Sequence, residues 1–331
     1  MKTLLNIIFF FTPSFIQVPL RRLTGQKIGK GSKIKIGTFF SGKNVEIGRN
    51  VKIGPFCFVK GQDISIGDNS NIKSLSVLST RIIRFGQYVH IAPLSIISSE
   101  FTENSLIEIG DHSRLFPFCW LDTGDGISIG KNVGIGGHTL IFTHGVWANY
   151  LDGGPVSFGP VKIEDNVWLP WRIFVLPNVT IGKDSIVGAN SLVNRSFPEN
   201  VLIGGNPAKL IKENIKNNLN IQEVNNRIEE ILFSFSSYYE FKKHKKIQYG
   251  SNQIDFGDFK IIVDNDEIAQ NGDLLFVLTT ERSEEEIKDL LDRGVSVIDH
   301  FTKVAQKVSH KEEFVLFISY LRKFGIRLYI N

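Results

Sequence analysis

The chain has 331 residues, a formal net charge of +4 and only two cysteines, Cys57 and Cys119. This length usually forms more than one domain, and so small a net charge gives no reason to expect a nucleic-acid partner. The cysteines form no CxxC pattern or Cys/His cluster, which excludes the common structural zinc motifs, and they do not require an oxidising compartment.

Residues 1–24 contain an apolar run from Leu4 to Phe11. The run resembles a short signal peptide, but no A-x-A cleavage pattern follows it, and it is too short to cross a bilayer. We interpret the segment as a hydrophobic cap over one open end of the next domain. The alternative is a peripheral membrane contact through residues 3–22, with Arg21 and Arg22 facing lipid headgroups.

From residue 28 onward an aliphatic residue recurs at every sixth position. Neither a helix nor an alternating strand has this period, which is typical of a solenoid whose short strands turn a corner every six residues. Small residues four positions after each aliphatic suit the inner corners and include both cysteines, so we expect buried thiols. The clearest run in register is Ile163, Leu169, Val175, Ile181, Val187 and Val193.

The period breaks after Ile141 and resumes only at Ile163, although Trp147 would be the next inward position. Segment 145–161 is rich in turn-forming residues and predicts a loop extruded from the wall. His144 lies at the corner where this loop leaves, and loops on a rigid scaffold often carry functional sites. An imidazole can accept the proton of a hydroxyl near pH 7, so His144 is a candidate general base.

The partner that would orient His144 is left open by the sequence. Asp152 and Glu164 are the nearest carboxylates along the chain, and a backbone carbonyl would serve equally well. His138, one repeat earlier, is interpreted as a structural residue.

Three motifs stand in a fixed order within the repeats: THG at 143–145, EDNVWLPWRIFVLPNVTIGKDSIVGANSLV at 164–193, and GGNPAKLI at 204–211. Together with the hexapeptides, they resemble the hexapeptide-repeat acyltransferases over about residues 25–215. The resemblance is to galactoside and maltose acetyltransferases and to O-acetyltransferases of bacterial polysaccharides. It implies a mainly β fold, a left-handed parallel β-helix, a homotrimer with active sites between subunits, and acetyl-CoA as co-substrate.

The resemblance also implies two catalytic groups. His144 would be the general base that deprotonates the acceptor hydroxyl. The backbone N–H of Trp171 would stabilise the oxyanion, because Pro170, where relatives commonly have glycine, has no N–H to donate. The bulk of Trp171 and Arg172 would narrow the pantetheine tunnel, which bears on the fit of the donor and on the choice of acyl chain.

The remaining site residues follow from the same resemblance. Trp168 would lie near the acyl end of coenzyme A, and Trp120 and Asp122 would bind the acceptor, one by stacking on a sugar ring and the other by accepting its hydroxyls. Small residues let a cofactor approach the backbone, and a lysine can bind its phosphates. No metal is expected. The other expected cofactor-binding residues are Ala189, Gly205, Asn206, Pro207, Ala208 and Lys209.

Residues 216–249 predict a helical linker, with one polar-faced helix over 221–246. Residues 250–331 predict a small α/β domain in βαβαβ order, with a capping box at Ser283 and Glu286. This region contains no GxGxxG or P-loop motif. We therefore expect an accessory domain for acceptor recognition or protein contact.

The expected function is acetyl-CoA dependent O-acetylation of a sugar hydroxyl in a bacterial surface polysaccharide or its precursor. We expect it in the cytoplasm or at the inner face of the membrane. N-acetylation of an amino sugar needs the same base and stays open, as does a non-enzymatic β-helix scaffold. A zinc β-helix hydrolyase would need three histidines between subunits, and the spacing of His138 and His144 is not that of this family, although His112 is also available. The acceptor, the hydroxyl modified and the acyl length are not defined by the sequence.

Overall fold

The computed structural model describes residues 2–99, 102–146, 148–250, 253–257, 260–263, 274–278, 282–299, 301–306 and 312–330. The chain divides into two compact units, Met1–Lys216 and Asn217–Asn331. Each unit has its own hydrophobic core.

In the described part of the first unit, successive strands belong in rotation to three sheets of mainly parallel strands. These sheets are the three faces of a β-helix. The first face contains β1 (Lys27–Ile28), β4 (Asn44–Ile47), β7 (Asp63–Ile66), β10 (Ile82–Phe85), β13 (Leu106–Ile109), β16 (Ile127–Ile129), β21 (Val161–Ile163) and β24 (Thr180–Ile181). The second face contains β2 (Lys33–Ile34), β5 (Lys52–Ile53), β8 (Asn71–Ile72), β11 (His90–Ile91), β14 (Arg114–Leu115), β17 (Gly134–Ile135), β22 (Trp168–Leu169), β25 (Ile186–Val187), β27 (Val201–Gly205) and β28 (Ala208–Glu213). The third face contains β3 (Phe39–Ser41), β6 (Phe58–Lys60), β9 (Val77–Ser79), β12 (Ile96–Ser98), β15 (Trp120–Asp122), β18 (Leu140–Ile141), β23 (Phe174–Val175) and β26 (Leu192–Val193).

The core of the β-helix consists of the aliphatic residues that set the six-residue period. They stack in register from coil to coil, as in the pairs Ile135 with Leu169 and Ile141 with Val175, and these side chains are fully buried. Each such burial stabilises the fold by roughly 1.5–3 kcal/mol. Both cysteines are buried, as expected. The predicted mainly β fold with a parallel β-helix is confirmed. The helix expected to be a linker belongs instead to the second unit, because its apolar side chains pack in that unit's core.

Two helices, α1 (Lys2–Phe11) and α2 (Ser14–Leu23), lie against the first coil. Their inner side chains are buried, among them Phe9 and Arg21. The Arg21 guanidinium lies over the rings of Phe9 and Phe40 and donates to the Phe40 carbonyl at 3.1 Å. Burial lowers the pKa of Arg21 to about 10, so it stays charged at neutral pH. The expectation that Arg21 faces headgroups is therefore wrong, because its side chain points into the protein.

At the other end, β27 runs parallel to β25 and pairs antiparallel with β28. The turn between β27 and β28 contains a cis peptide bond at Asn206–Pro207. This hairpin extends the second face beyond the last regular coil.

The second unit begins with α3 (Ile221–Lys243), which is capped by Asn220 and Glu223. Its sheet has strands in sequential order, and the predicted capping box at Ser283 and Glu286 is confirmed. The sheet is more complex than βαβαβ, because an antiparallel meander precedes β32 and an antiparallel strand follows β33. The sequence pattern predicts strands over 274–280 and 295–300 and a helix over 309–324, and of these residues 279–280, His300 and Ser309 lie outside the described residues. The elements are β29 (Gln248–Gly250), β30 (Gln253–Asp255), β31 (Lys260–Val263), β32 (Leu274–Leu278), α4 (Glu284–Asp292), β33 (Ser296–Asp299), β34 (Val304–Gln306), α5 (Glu312–Leu321), a 3-10 turn (Arg322–Phe324) and β35 (Tyr329–Ile330).

Among the described residues, no helix combines the length and the hydropathy that crossing a bilayer requires.

Candidate functional site

The repeat is interrupted at the edge between the third and first faces. After β18 the chain leaves the wall as β19 (His144–Val146), which pairs antiparallel with β20 (Val156–Phe158). A 3-10 turn at Tyr150–Asp152 lies between these strands. The chain then rejoins the first face at β21 in correct register with β16. The expected extruded loop thus contains a two-stranded hairpin that the sequence did not predict. Trp147, expected to point inward, lies outside the described residues.

His144 and Asp122 form a hydrogen-bonded pair at this edge. The imidazole Nδ1 lies 3.0 Å from the Asp122 Oδ1, with the His144 side chain half exposed and the Asp122 side chain mostly buried. An ionised carboxylate only accepts hydrogen bonds, so this contact assigns the proton to Nδ1 and leaves Nε2 as an acceptor. The exposed ring therefore has one nitrogen free to take a proton from a ligand.

Asp122 is itself held in place by two further donors. Its Oδ1 accepts the Thr143 hydroxyl at 3.0 Å and the Gly124 backbone N–H at 3.2 Å. Thr143 is fully buried and immediately precedes His144. The carboxylate is therefore fixed by its own coil and by the next one, and it fixes the imidazole in turn.

The two carboxylates considered from sequence spacing do not orient His144. The Asp152 carboxylate accepts from the Asn149 amide at 2.8 Å near the tip of the hairpin. Glu164 accepts from the Lys162 ammonium at 2.8 Å. Asp122, expected to bind a sugar hydroxyl, is bonded through its Oδ1 to His144, because β15 lies directly beside β18 on the third face.

Trp120 lies on the outer surface of the third face, close to the histidine. Its ring meets the edge of Phe142 with ring centres 5.6 Å apart, and Phe142 lies 6.5 Å from the His144 ring. Trp120 remains substantially exposed. The structure therefore brings together His144, Asp122 and Trp120, and it adds Phe142 and Thr143, which sequence analysis did not identify.

Trp168 lies on the outer surface of the second face, and Trp171 lies at the adjoining edge between the second and third faces. A Cβ on Gly134 would lie 2.4 Å from the Trp168 ring, and one on Gly137 would lie 2.3 Å from the Trp171 ring. The glycines of the preceding coil therefore make room for both rings to lie flat on the wall. Phe116 contacts both rings, with centres 6.2 and 6.4 Å away.

The edge that carries Trp171 continues through the expected cofactor-binding residues. Ala189 is exposed one coil later, where the Asn190 N–H donates to the Trp171 carbonyl at 3.1 Å. The Gly205 N–H donates to the Ser191 hydroxyl at 3.0 Å. Asn206, Pro207 and Lys209 are also exposed, whereas Ala208 is buried in the core, so its side chain cannot contact a ligand.

The expected site residues thus form two groups on different edges of the β-helix. One group surrounds His144, and the other extends from Trp168 and Trp171 to Lys209. The third face lies between these edges within one chain.

Neither cysteine is suited to covalent catalysis. Burial raises the pKa of the Cys119 thiol to about 12 and also raises that of Cys57. The thiolate is the nucleophilic form of cysteine, so both thiols are expected to be unreactive.

No group of three possible metal ligands occurs among the described residues. His112 stacks on Tyr88 with ring centres 4.7 Å apart, and His138 stacks on Phe118 at 4.9 Å. These two histidines and His144 lie on three different edges, so they do not meet within one chain.

No protein-family model matches the chain. It is 36% identical over 91 residues to the galactoside O-acetyltransferase of Escherichia coli, a match that covers 27% of this chain and 42% of the relative. It is 40% identical over 91 residues to the galactoside O-acetyltransferase of Lactococcus lactis, covering 27% of this chain and 44% of the relative. The chain therefore spans less than half the length of these two relatives.

A solved hexapeptide-repeat acetyltransferase of Vibrio cholerae is 28% identical, with a TM-score of 0.34, and the match covers 46% of this chain and 74% of the other. The curated relatives confirm the resemblance to acetyltransferases that the sequence motifs indicate.

Proposed function

We propose that this chain, a relative of the hexapeptide-repeat acetyltransferases, is an acetyl-CoA dependent O-acetyltransferase that acts on a sugar hydroxyl. The observation that carries the proposal is the hydrogen bond between the exposed His144 ring and the mostly buried Asp122 carboxylate, at the edge where the repeat is interrupted. An imidazole with a fixed tautomer and a free Nε2 is what base catalysis on a hydroxyl requires.

In the proposed reaction, His144 Nε2 accepts the hydroxyl proton while the hydroxyl oxygen attacks the thioester carbonyl carbon. The tetrahedral intermediate collapses as the carbon–sulfur bond breaks, and the imidazolium returns its proton to the leaving thiolate. The products are an acetyl ester and free coenzyme A. Asp122 is a positioning residue that also stabilises the imidazolium by its charge. General-base help of this kind is typically worth about 10²–10⁴ in rate.

Direct transfer is favoured over an acyl-enzyme intermediate. The buried cysteines with raised pKa values are poor nucleophiles, and the Thr143 hydroxyl beside the base is fully buried. The proposed donor to the oxyanion of the intermediate is the backbone N–H of Trp171, since the preceding Pro170 has no N–H to donate.

Acetyl-CoA is the proposed donor, bound along the edge that carries Trp168, Trp171 and Ala189. Exposed small residues on this edge allow the cofactor to approach the backbone. Lys209 supplies a positive charge for its phosphates.

We further propose a homotrimer. The base and the cofactor edge are separated by the third face within one chain, so a cyclic assembly that sets one edge against the other completes each site between neighbours. Trp120, beside the base, is suited to stack on the acceptor sugar. We infer a bacterial surface polysaccharide or its precursor as acceptor, modified on the cytoplasmic side, where acetyl-CoA is available.

Thiol release from acetyl-CoA, measured against a panel of oligosaccharides and nucleotide sugars, tests the proposal. We expect turnover with at least one neutral sugar and an acetyl ester in the product. Turnover only with amino sugars would make the chain an N-acetyltransferase. Binding of acetyl-CoA without turnover of any acceptor would contradict the assignment.

A further inference from the structure

The two N-terminal helices present an apolar face that no described part of the chain covers. Phe15 is 78% exposed and Leu23 is 83% exposed, values that are high for large apolar side chains. Large apolar side chains that are exposed together on one short segment mark an interaction site more often than singly scattered ones do. The exposed apolar residues of this face are Ile7, Ile8, Phe11, Phe15, Ile16, Leu20 and Leu23.

The opposite face of the same helices is firmly anchored. The Gln17 amide donates to the carbonyls of Thr12 and Ile34 at 2.9 and 3.0 Å. Arg21 donates to Phe40, and Val18 is buried in the β-helix core. The helices are thus fixed on the first coil, and their exposed apolar face has a defined orientation away from it.

Charge is concentrated at the same end of the molecule. The first 60 residues contain eleven Lys or Arg and a single acidic residue, Glu46, so they carry a net charge of +10. The other 271 residues carry a net charge of −6, because the whole chain is +4. Four exposed lysines, Lys27, Lys30, Lys33 and Lys35, surround the first coil directly beside the helices.

We propose that this end, formed by α1, α2 and the first coil, docks on the surface of an anionic lipid bilayer. The apolar face would insert to the level of the headgroups, and the lysines of the first coil would contact lipid phosphates. An amphipathic helical face flanked by basic residues has the composition of an interfacial anchor. Charge complementarity selects an anionic membrane over a neutral one.

Sedimentation of the full chain with vesicles tests this directly. Vesicles of phosphatidylcholine containing about one-third phosphatidylglycerol should capture the chain, and pure phosphatidylcholine should capture much less. High salt should weaken the capture by screening the lysines.

Two pairs of variants separate the apolar and the electrostatic contributions. Phe15→Ser with Leu23→Ser should lower the partition coefficient about tenfold or more, whereas Phe241→Ser, which changes an 80% exposed phenylalanine in the other unit, should not. Lys33→Gln with Lys35→Gln should reduce capture, whereas Lys131→Gln with Lys288→Gln should leave it nearly unchanged. Circular dichroism checks that each variant folds.

Equal capture of all variants, or no capture by anionic vesicles, would overturn the proposal. So would a smaller oligomer in the Phe15→Ser, Leu23→Ser variant on size exclusion, since the face would then join copies of the chain. Membrane docking is independent of the proposed acetyl transfer, which is measured with soluble acceptors in the absence of lipid.

Discussion

Two edges of one β-helix carry the candidate site, and they are built differently. At the edge with His144, the repeat is interrupted by a hairpin, and a buried carboxylate fixes an exposed imidazole. At the edge with Trp171, the repeat continues without a break, and glycines in the preceding coil let aromatic rings lie on the wall. The proposed base therefore lies where the period breaks, and the proposed cofactor surface lies where the period is kept.

Replacing the base should have the largest effect. We expect His144→Ala to lower kcat by about 10²–10⁴, because no other group takes the hydroxyl proton. His112→Ala is the matched control, since His112 lies on the edge between the first and second faces, away from both groups of site residues, and stacks on Tyr88. Steady-state thiol release measures both. Near-normal turnover in His144→Ala, or equal losses of turnover in the two variants, would mean that His144 is not the general base.

Mixing two inactive variants tests whether the edges come from different protomers. His144→Ala disables one edge, and Ala189→Trp should block the other by placing a large ring on an exposed position. If each site combines the histidine of one protomer with the cofactor edge of its neighbour, random mixed trimers should recover about a quarter of wild-type activity.

The mixture must be unfolded and refolded together so that chains exchange, with each variant refolded alone as control. No recovery in verified mixed oligomers would mean that both edges act within one protomer. Ala189→Ser, which adds only a hydroxyl, should stay active.

The regular part of the molecule could be predicted from the sequence, because each coil repeats the same simple requirement for one buried aliphatic residue. The partner of His144 could not. Strands on one face are offset by 19 residues between Asn44 and Asp63 but by 24 between Ile82 and Leu106, so counting in sixes does not align distant coils. Asp122 becomes a neighbour of His144 only through strand register.

The hairpin at the interruption was missed for a related reason. Its strands have three residues each and are mostly exposed, so they carry no hydrophobic pattern. Short strands such as β34 in the second unit also give too weak a periodic signal to be recognised. Ala208 was predicted to bind the cofactor because it lies in the GGNPAKLI motif, and only the structure shows that its side chain belongs to the core.

Asp122→Asn tests whether the carboxylate orients the His144 ring for catalysis. The amide can donate to Nδ1, which would favour the wrong tautomer and misdirect the base. We expect kcat to fall about 10–100-fold, as for other groups that orient a functional histidine. The KM for acetyl-CoA should not change, since the cofactor edge is untouched.

Asp152→Asn is the matched control, because its carboxylate bonds to Asn149 rather than to His144. If both variants behave alike, the contact between Asp122 and His144 has no catalytic role. A change confined to KM would instead assign Asp122 to substrate binding.

Trp171→Gly should have a smaller effect on acetyl transfer, and it tests whether the Trp171 ring limits the length of the acyl chain. The backbone N–H is retained, so acetyl transfer should fall by less than about tenfold. Loss of the ring should raise turnover of butyryl-CoA relative to acetyl-CoA about tenfold, since pocket size discriminates acyl chains by this order. Trp120→Gly, on the third face, should leave the acyl preference unchanged. Unaltered preference in Trp171→Gly would show that this ring does not limit the acyl chain.

The smallest effect on catalysis is expected at the cysteines, which lie at inward positions behind the edge that carries Trp171. The Cys119 Sγ lies 3.1 Å from the Phe116 carbonyl oxygen and 3.2 Å from that of Gly136, and its pKa is raised to about 12. At pH 8 only about one thiol in 10⁴ would be ionised, so alkylation by iodoacetamide should be at least about a thousandfold slower than in the unfolded chain. Mass spectrometry of the native and the denatured chain measures this difference. Rapid modification of Cys119 in the native chain would mean that this edge opens, and an edge that opens cannot be the rigid binding surface that the comparison of the two edges requires.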